Sequence, residues 1–282
     1  MSKRSEYLRE NSRKKSEERN KGLVEPAQIE QINDIAYGPL TPWQTLDLYK
    51  PKQKTPKDLP VIISIHGGGW IGGSKEEYKF YCLSLAEQGF AIINCNYRLA
   101  PEYTYPSPLE DIERVIDWSF QHSKEYGLDT TNIFMIGDSA GAHLLGMYLS
   151  LYPFRPKAVA FNCGKFHITE NDPHDRAIEL MKDFLPGEVS LEALEKINVF
   201  HTIDQNYPPV YIVTSQEDFL QSQTIQMVAI LQSNKVPFTF QFYASKTHTL
   251  NHVFHIDLRI PEAKICNTNE CNYFKTLIDY KR

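Results

Sequence analysis

Residues 137–141 constrain the fold of this 282-residue chain more than any other segment. They read Gly-Asp-Ser-Ala-Gly, follow an apolar run at residues 133–136 and open a helix-like segment at residues 142–149. This pattern between a strand and a helix is typical of a sharp turn that exposes the serine above a sheet. The glycines permit a backbone too tight for a Cβ, and the helix N-terminus favours negative charge beside Ser139. The segment therefore predicts a strand–turn–helix unit with a candidate nucleophile.

Apolar runs recur along the chain and alternate with helix-like segments. Strands are predicted at residues 45–50, 61–65, 90–94, 133–136, 158–161, 210–214 and 238–242. Helices are predicted around residues 78–88, 112–120, 142–149 and 223–231. The second of these has one apolar stripe, and Asp111 beside it is expected on the solvent side. Most strands are continuously apolar, as in a sheet covered on both faces, whereas residues 45–50 alternate and predict a half-exposed strand. The alternation predicts an α/β fold, a mostly parallel sheet flanked by helices.

One long segment, residues 165–209, interrupts the alternation. It has helix-like pieces at residues 176–184 and 190–196 and no clear strand. An insertion after a strand lies over the edge where open α/β sheets bind ligands, so we expect a small lid. A surface excursion without a function is the alternative. Aromatic side chains of this segment would suit a small apolar or aryl acyl group, or would hold the lid to the body: Phe166, Phe184, Phe200 and Tyr207.

The charge distribution separates a polar N-terminal arm, residues 1–25, from a domain over residues 26–282. Residues 1–22 hold eight Lys or Arg and four Glu, whereas the whole chain has a net charge of −5. The arm is expected to form a solvated or frayed helix. The pI of about 6.0 argues against nucleic acid as a partner. Apolar runs are too short to span a bilayer, and the arm lacks the apolar core of a secretory signal.

Cysteine usage indicates the compartment. The five cysteines are scattered through apolar surroundings, apart from two in a polar stretch near residues 266–271. An odd, scattered set predicts reduced thiols in a cytoplasmic protein. No matching His/Cys cluster accompanies them, so no metal site and no cofactor are predicted.

A serine nucleophile needs a base, a group that orients the base, and donors for the developing oxyanion. Residues 66–70, His-Gly-Gly-Gly-Trp, follow a predicted strand, and their glycines leave backbone N–H groups free to face a pocket. Together with the N–H of Ala140 they could supply the donors. His66 is expected to brace the loop. Trp70 is expected to line the substrate pocket, with simple packing as the alternative.

The acid and the base are expected after the serine in the chain. Asp218 lies just past the strand at residues 210–214 and is favoured over its neighbour Glu217. Three candidate bases, His252, His248 and His255, lie in the loop after the last predicted strand. His252 is preferred, ahead of His248 and then His255. Such a loop can fold back over the sheet edge at which the serine is expected.

Four motifs together resemble the hormone-sensitive lipase family of esterases and lipases, within the α/β-hydrolase superfamily. Residues 66–70 match its HGGG motif, residues 96–102 (Asn-Tyr-Arg-Leu-Ala-Pro-Glu) its YRLAPE segment, and residues 137–141 its GDSAG turn. Residues 252–254, His-Val-Phe, resemble the segment around its histidine. The sequence departs from the family at residues 215–217, where Ser-Gln-Glu stands instead of a segment that begins with glycine.

This resemblance implies an α/β-hydrolase fold, and the expected function is that of a serine carboxylesterase. The aromatic side chains of residues 165–209 predict that its substrates are small, short-acyl esters. The resemblance also implies a triad of Ser139, Asp218 and His252. The oxyanion donors would be Gly68, Gly69 and Ala140.

Two alternatives remain at the level of the sequence. The same triad would serve an amidase, an aryl formamidase or a small peptidase, and a silent hydrolase fold could act as a receptor. A small-molecule ester is the expected partner. A homodimer is expected only because symmetric dimers are common.

Overall fold

The computed structural model describes residues 1–52, 58–169 and 177–279. Within these residues the strands are β1 (Ile29–Ala36), β2 (Thr45–Pro51), β3 (Leu59–Ile65), β4 (Ala91–Cys95), β5 (Leu128–Asp138), β6 (Ala158–Asn162), β7 (Val210–Ser215) and β8 (Phe238–Tyr243). The helices are α1 (Lys3–Asn20), α2 (Lys75–Ala86), α3 (Ser107–Gln121), α4 (Ser123–Tyr126), α5 (Ala140–Leu151), α6 (Ile178–Phe184), α7 (Leu191–Glu195), α8 (Gln221–Ser233) and α9 (Pro261–Thr276).

The described strands form one sheet in the order β1-β2-β4-β3-β5-β6-β7-β8. β1 and β2 run antiparallel to their neighbours, and the pairs from β4 through β8 are parallel. The predicted α/β class with a mostly parallel sheet is confirmed. The carboxyl ends of β5, β7 and β8 consequently lie along one edge, where the loops after them can meet.

Side chains of the central strands alternate between two hydrophobic layers. In β3, Val61, Ile63 and Ile65 pack in the layer that also contains buried residues of α3, α5 and α8. Ile62 packs in the opposite layer with buried residues of α2 and α9. A strand covered on both faces needs apolar residues at every position, which explains the uninterrupted apolar runs.

Two expectations about exposure were wrong. β2 is not half-exposed, because Thr45 through Tyr49 are all buried, including Asp47, which binds the Nζ of Lys75 at 2.8 Å. Asp111 in α3 was expected on the solvent side but is fully buried. Its carboxylate accepts hydrogen bonds from the Arg98 guanidinium at 2.9 Å and the Gln44 amide at 2.7 Å. Buried charges are tolerated when paired in this way.

The N-terminal arm forms a helix, as expected, but the helix is docked rather than simply solvated. Arg9 of α1 donates to the carbonyls of Ile71 and Ala100 at 2.9 and 2.8 Å and to Glu102 at 2.8 Å. A Cβ placed on Gly69 would lie 3.3 Å from Leu8. α1 therefore lies against the glycine-rich loop after β3. The division of the chain into arm and domain stays a prediction.

The described part of the expected lid holds α6 and α7. Residues 170–176, including the predicted start of the first helical piece at Arg176, lie outside the described residues. Phe184 at the end of α6 stacks on Trp70 with ring centroids 5.2 Å apart. The aromatic side chains named for this segment are all buried, which fits attachment to the body of the domain. A role as lid stays a prediction.

The structure also bears on membranes and thiols. Among the residues that the structure describes, no helix combines the length and the hydropathy needed to cross a bilayer. All five cysteines are buried and free of disulfides.

Candidate active site

The turn at Ser139 is the sharp strand-to-helix connection that the sequence predicts. β5 ends at Asp138, α5 begins at Ala140, and Ser139 between them has φ 54° and ψ −116°. The Ser139 N–H donates to the carbonyl of Asn162 at 3.0 Å. A Cβ on Gly141 would lie 2.2 Å from the carbonyl oxygen of Ile65, so only glycine fits where α5 passes β3. Non-glycine residues with such positive φ occur mainly where the surrounding structure enforces them.

Ser139, His252 and Asp218 lie in one hydrogen-bonded row. His252 Nε2 is 2.8 Å from Ser139 Oγ, and His252 Nδ1 is 2.7 Å from Asp218 Oδ1. The Asp218 side chain is completely buried, and the His252 side chain is 18% exposed. The imidazole thus contacts the hydroxyl with one nitrogen and the carboxylate with the other, the arrangement that lets a histidine accept a serine proton.

The surroundings of Asp218 keep it ionised. Burial by itself would raise the pKa of this carboxyl group, but hydrogen bonds and charge attraction from His252 outweigh it. The backbone N–H of Leu220 donates to Oδ1 at 3.0 Å and the Thr214 hydroxyl to Oδ2 at 2.8 Å. The net effect is a pKa below the ordinary aspartate value. At neutral pH this residue is therefore a carboxylate that can stabilise an imidazolium.

Glu217, the alternative acid, has a different place. Its Oε2 accepts the N–H of Leu250 at 3.0 Å, and its backbone forms a parallel bridge with Asn251. The hydroxyl of Ser215 donates to the carbonyl of Leu250 at 2.7 Å. These contacts fasten the loop that carries His252, here named the histidine loop (residues 248–256), to the end of β7.

The two alternative bases lie away from the serine hydroxyl. His248 is exposed, and its Nδ1 lies 3.3 Å from Glu262. His255 is fully buried, with Nε2 3.1 Å from Asp138 Oδ2. Of the three histidines, His252 alone is placed against Ser139 Oγ by the hydrogen bonds within the described residues.

The glycine-rich loop after β3 lies directly beside the serine turn. A Cβ on Gly67 would be 3.2 Å from the Ser139 Cβ, and the Gly67 N–H donates to the Tyr78 hydroxyl at 3.0 Å. Gly68 and Gly69 have φ 133° and 61°, and the Gly68 carbonyl accepts the N–H of Gly72 at 2.9 Å. The described part of the chain offers no acceptor to the N–H of Gly68 or Gly69.

Comparisons with known proteins identify the family and the fold of the chain. The model of the prolyl oligopeptidase family matches residues 107–257, just over half of the chain, and the BD-FAE model matches residues 46–152. The chain belongs to the prolyl oligopeptidase family of α/β hydrolases. Among solved structures, esterase B from Lactobacillus rhamnosis has a TM-score of 0.83 at 23% identity, over 98% of this chain and 96% of that chain. This similarity confirms the predicted α/β-hydrolase fold.

The curated relatives to which this α/β hydrolase is similar include named esterases. An esterase of Gibberella moniliformis is 36% identical over 132 residues, which are 43% of this chain and 40% of that protein. The versiconal hemiacetal acetate esterase of Dothistroma septosporum is 25% identical over 233 residues, 73% of this chain and 70% of that protein. The chain thus spans less than half the length of the Gibberella esterase. The finer resemblance to the hormone-sensitive lipase family stays a prediction.

Trp70 and His66 of this hydrolase are both buried. Trp70 is 1% exposed, and its Nε1 donates to His143 Nδ1 at 3.3 Å. Its ring is therefore packed in this structure, and a place for it in the substrate pocket stays a prediction. His66 stacks on Tyr97 with centroids 4.2 Å apart, and burial lowers its pKa to about 4. A neutral, packed His66 fits the expected bracing of the loop.

One group of side chains within the described residues has metal-ligating atoms close together. Atoms of Cys163, Asp218 and His252 lie within 4.8 Å of one another. Burial raises the pKa of the Cys163 thiol well above its ordinary value, whereas a metal ligand would be the thiolate. Asp218 and His252 already direct one atom each at the other. The set therefore fits an acid–base hydrogen bond better than a metal centre.

Sequence reasoning missed Phe219. Its ring is 48% exposed and lies 4.4 Å, centroid to centroid, from the ring of His252. The signal was present in the sequence, since Phe219 follows the favoured acid directly. An exposed aromatic ring over the candidate base can shield it from water and contact whatever approaches the serine.

Proposed function

We propose that the protein is a serine carboxylesterase that hydrolyses small, short-acyl esters. The row of Ser139, His252 and Asp218, with contacts of 2.8 and 2.7 Å, carries this proposal. Its order along the chain, serine before acid before histidine, is that of α/β hydrolases.

In the first half of the reaction, His252 Nε2 takes the proton of the Ser139 hydroxyl as Oγ attacks the ester carbonyl carbon. The carbonyl double bond opens, and its oxygen becomes an oxyanion. Asp218 stabilises the imidazolium through Nδ1 and holds the ring in the orientation needed. The tetrahedral intermediate then collapses, the imidazolium gives its proton to the leaving alcohol oxygen, and an acyl-enzyme remains.

The oxyanion would be held by the backbone N–H groups of Gly68, Gly69 and Ala140. Ala140 is the first residue of α5, so its N–H has no partner within the helix and lies where the helix dipole favours negative charge. Loss of one oxyanion donor typically lowers kcat by about 10²–10³-fold. Hydrolysis of the acyl-enzyme repeats the steps with water as the nucleophile and His252 as its base.

The walls near the oxyanion loop support a preference for short acyl groups. A Cβ on Gly69 would lie 3.0 Å from Leu180 of α6 and 3.3 Å from Leu8 of α1. Both side chains are apolar, and both stand close to the place where an acyl carbonyl would bind. The similarity to an esterase whose name specifies an acetate ester agrees with this preference.

The experiment compares hydrolysis of p-nitrophenyl acetate, butyrate and decanoate by the wild type and Ser139→Ala. We expect rates to fall with acyl length and kcat to drop about 10⁴-fold or more in the variant. Ser150→Ala is the matched control, because this hydroxyl lies on the same helix and its hydrogen-bond partner within the described residues is the carbonyl of Met147. Rates that rise toward decanoate would contradict the short-acyl preference, and full activity in Ser139→Ala would contradict the triad.

A second candidate keeps the triad and changes the bond. The match to the prolyl oligopeptidase model over residues 107–257 favours an amide or peptide substrate. Acyl-amide and aryl formamide substrates tested beside the esters separate the two. If wild type turned over no ester but cleaved an amide with dependence on Ser139, the amidase would replace the esterase. If it turned over neither, a silent receptor would be favoured.

Two further parts of the proposal come from the sequence alone. A cytoplasmic location rests on the reduced, buried cysteines, and a homodimer rests on the frequency of symmetric dimers. The proposed chemistry uses only side-chain and backbone groups of this chain.

A further inference from the structure

A second group of ionisable side chains lies behind the serine turn and has no part in the proposed mechanism. Asp138, His255 and Glu270 are each at most 1% exposed. His255 Nε2 lies 3.1 Å from Asp138 Oδ2. Tyr81 and Asn162 donate to the Glu270 carboxylate at 3.3 and 3.0 Å. Such a concentration of buried ionisable groups requires an explanation.

The contact between Asp138 and His255 is a close polar contact whose hydrogen-bond geometry is poor. Their atoms are within ion-pair distance, yet neither side chain makes a hydrogen bond of acceptable geometry to any described residue. Buried polar groups left in this state are costly, and natural proteins concentrate such costs at functional sites.

The same two segments of chain contact each other twice. Asp138 and Ser139 are neighbours on the serine turn, and His252 and His255 are three residues apart on the histidine loop. Val253 between the histidines has φ 53°, which bends the loop sharply. One contact joins Ser139 to His252 at 2.8 Å, and the other joins Asp138 to His255 at 3.1 Å.

Helices and a strand hold both residues of the second contact, Asp138 and His255, in place. The side-chain amide of Asn267 in α9 donates to the His255 carbonyl at 3.0 Å. The ring of Tyr81 in α2 meets the His255 ring edge-on at 5.2 Å. On the opposite side Asp138 is the last residue of β5. The pair therefore joins α2 and α9 to the strand that presents the serine.

We propose that Asp138 and His255 are positioning residues, which fix the histidine loop against the serine turn and hold His252 Nε2 within hydrogen-bond distance of Ser139 Oγ. This inference rests on the proposed function of Ser139. Neither residue touches the substrate. A misplacement of about 1 Å at a reacting pair can cost about 10²-fold in rate, so a tie beside the pair matters for catalysis.

Two substitutions of His255 test the contact between His255 and Asp138. In His255→Gln the amide nitrogen can take the place of Nε2 beside Asp138, whereas the shorter side chain of His255→Asn cannot reach it. We expect His255→Asn to lower kcat for p-nitrophenyl butyrate about 10- to 100-fold with KM within about twofold. His255→Gln should retain at least about a third of wild-type kcat. Equal kcat in both variants, whether high or low, would overturn the proposal.

Three further variants complete the design. His248→Asn is the matched control, because the same change on the same loop removes an exposed ring that contacts Glu262; its kcat should be that of wild type. Asp138→Asn changes the other residue of the pair, and its kcat tests the proposal if His255→Asn does not fold. The double variant Asp138→Asn/His255→Asn should lose no more activity than the worse single variant. Multiplied losses would show that the two residues act independently and would contradict a shared role.

Measurements on the folded protein distinguish a positioning role of His255 from a merely structural one. Thermal unfolding and stoichiometric labelling by a fluorophosphonate count folded sites, while the rate of labelling reports how readily Ser139 reacts. The proposal expects full stoichiometry with a slowed rate in His255→Asn. A lower Tm with an unchanged labelling rate would overturn it. If wild type hydrolysed no ester, the proposed function would fail, and the labelling rates would still decide the positioning role.

Discussion

Ser139 combines a strained backbone with a restrained position. A positive φ on a residue with a Cβ costs about 1–3 kcal/mol, and neighbouring contacts must enforce it. Here the Ser139 N–H donates to Asn162 and its carbonyl accepts the N–H of Lys165, at 3.0 and 3.1 Å. These contacts fix the backbone at both ends and so fix the direction of the Cα–Cβ bond, and the hydroxyl lies 2.8 Å from His252 Nε2. Asp218 contacts the other nitrogen of the His252 imidazole and so fixes the orientation of the ring. A substitution of Asp218 therefore tests the triad directly.

Asp218→Asn should leave the fold intact and reduce kcat about 10³-fold or more. An amide in place of the carboxylate cannot stabilise the imidazolium, and it favours the wrong tautomer of His252. Glu217→Gln is the matched control, since Glu217 contacts the backbone of Leu250 rather than a histidine. Steady-state kinetics on p-nitrophenyl butyrate measure both. A larger loss in Glu217→Gln than in Asp218→Asn would assign the acid to Glu217.

The candidate site could be predicted largely because its chemistry imposes a local order on the sequence. The serine turn needs glycines at fixed spacing, and the acid and base follow predicted strands. Choosing among three histidines, however, depends on how the loop bends at Val253, and left-handed backbone at a valine has no signal in the sequence. The contact between Asp138 and His255 could not be predicted from the sequence either, because it depends on the same bend of the loop. Trp70 was expected to line a pocket, yet its ring is packed on Phe184.

Among the elements, α1 shows how a polar helix can still dock. Its sequence has almost no apolar stripe, and its anchoring comes from directed polar contacts. The Ser5 hydroxyl donates to Asp183 at 2.5 Å, and Arg9 reaches two backbone carbonyls and Glu102. Hydrogen bonds from charged donors to partly buried acceptors are worth more than exposed ion pairs. We therefore expect Arg9 to carry much of the docking energy.

Arg9→Ala should lower the free energy of unfolding by about 1–2 kcal/mol, because the substitution removes charged hydrogen bonds to the carbonyls of Ile71 and Ala100. Arg13→Ala, which loses only an exposed pairing with Glu17 at 3.8 Å, should change it by less than about 0.5 kcal/mol. Urea unfolding gives both values. Equal effects in the two variants would mean that α1 is held by something other than Arg9.

Element prediction succeeded where apolar patterns are continuous and failed where polar contacts decide. The buried strands β3 to β7 were visible as apolar runs. β1 was missed because this edge strand, Ile29–Ala36, is half-exposed and carries charges. α9 was missed because Asn, Cys and Glu give it no clear apolar stripe, although Glu270 and Asn267 are buried. The partner of a buried polar residue can be identified only from the three-dimensional structure.

At the scale of the whole molecule, stability depends on how its two hydrophobic layers accommodate charge. Both layers contain buried ionisable side chains, and some of them are matched by opposite charges, as Asp111 is by Arg98. Glu270 instead accepts hydrogen bonds from the neutral side chains of Tyr81 and Asn162. Burial raises its pKa to about 7, although His255, Asn162 and Tyr81 act in the opposite direction. The folded protein therefore holds this proton more tightly than the unfolded chain does.

The resulting pH dependence can be tested with Glu270→Gln. Because the folded state binds the extra proton, this residue makes stability fall as pH rises from about 4.5 to about 7, by at most about 3 kcal/mol. The neutral variant should lack this decrease and be more stable than wild type at pH 8. Urea unfolding at pH 5, 6, 7 and 8 measures it. Parallel curves for wild type and Glu270→Gln would show that Glu270 titrates normally.

The acid and the base are fastened to each other without help from the serine. Ser215 and Glu217 hold the backbone of Leu250 on either side, so the end of β7 and the histidine loop form one unit. The loop is held to the serine turn itself by the contacts of His252 with Ser139 and of His255 with Asp138. We therefore expect mild heating to separate the histidine loop from the serine turn before it separates Asp218 from His252. Inactivation would then begin below the temperature of unfolding and reverse on cooling. An engineer seeking heat tolerance in this protein would therefore reinforce the contacts between the histidine loop and the serine turn.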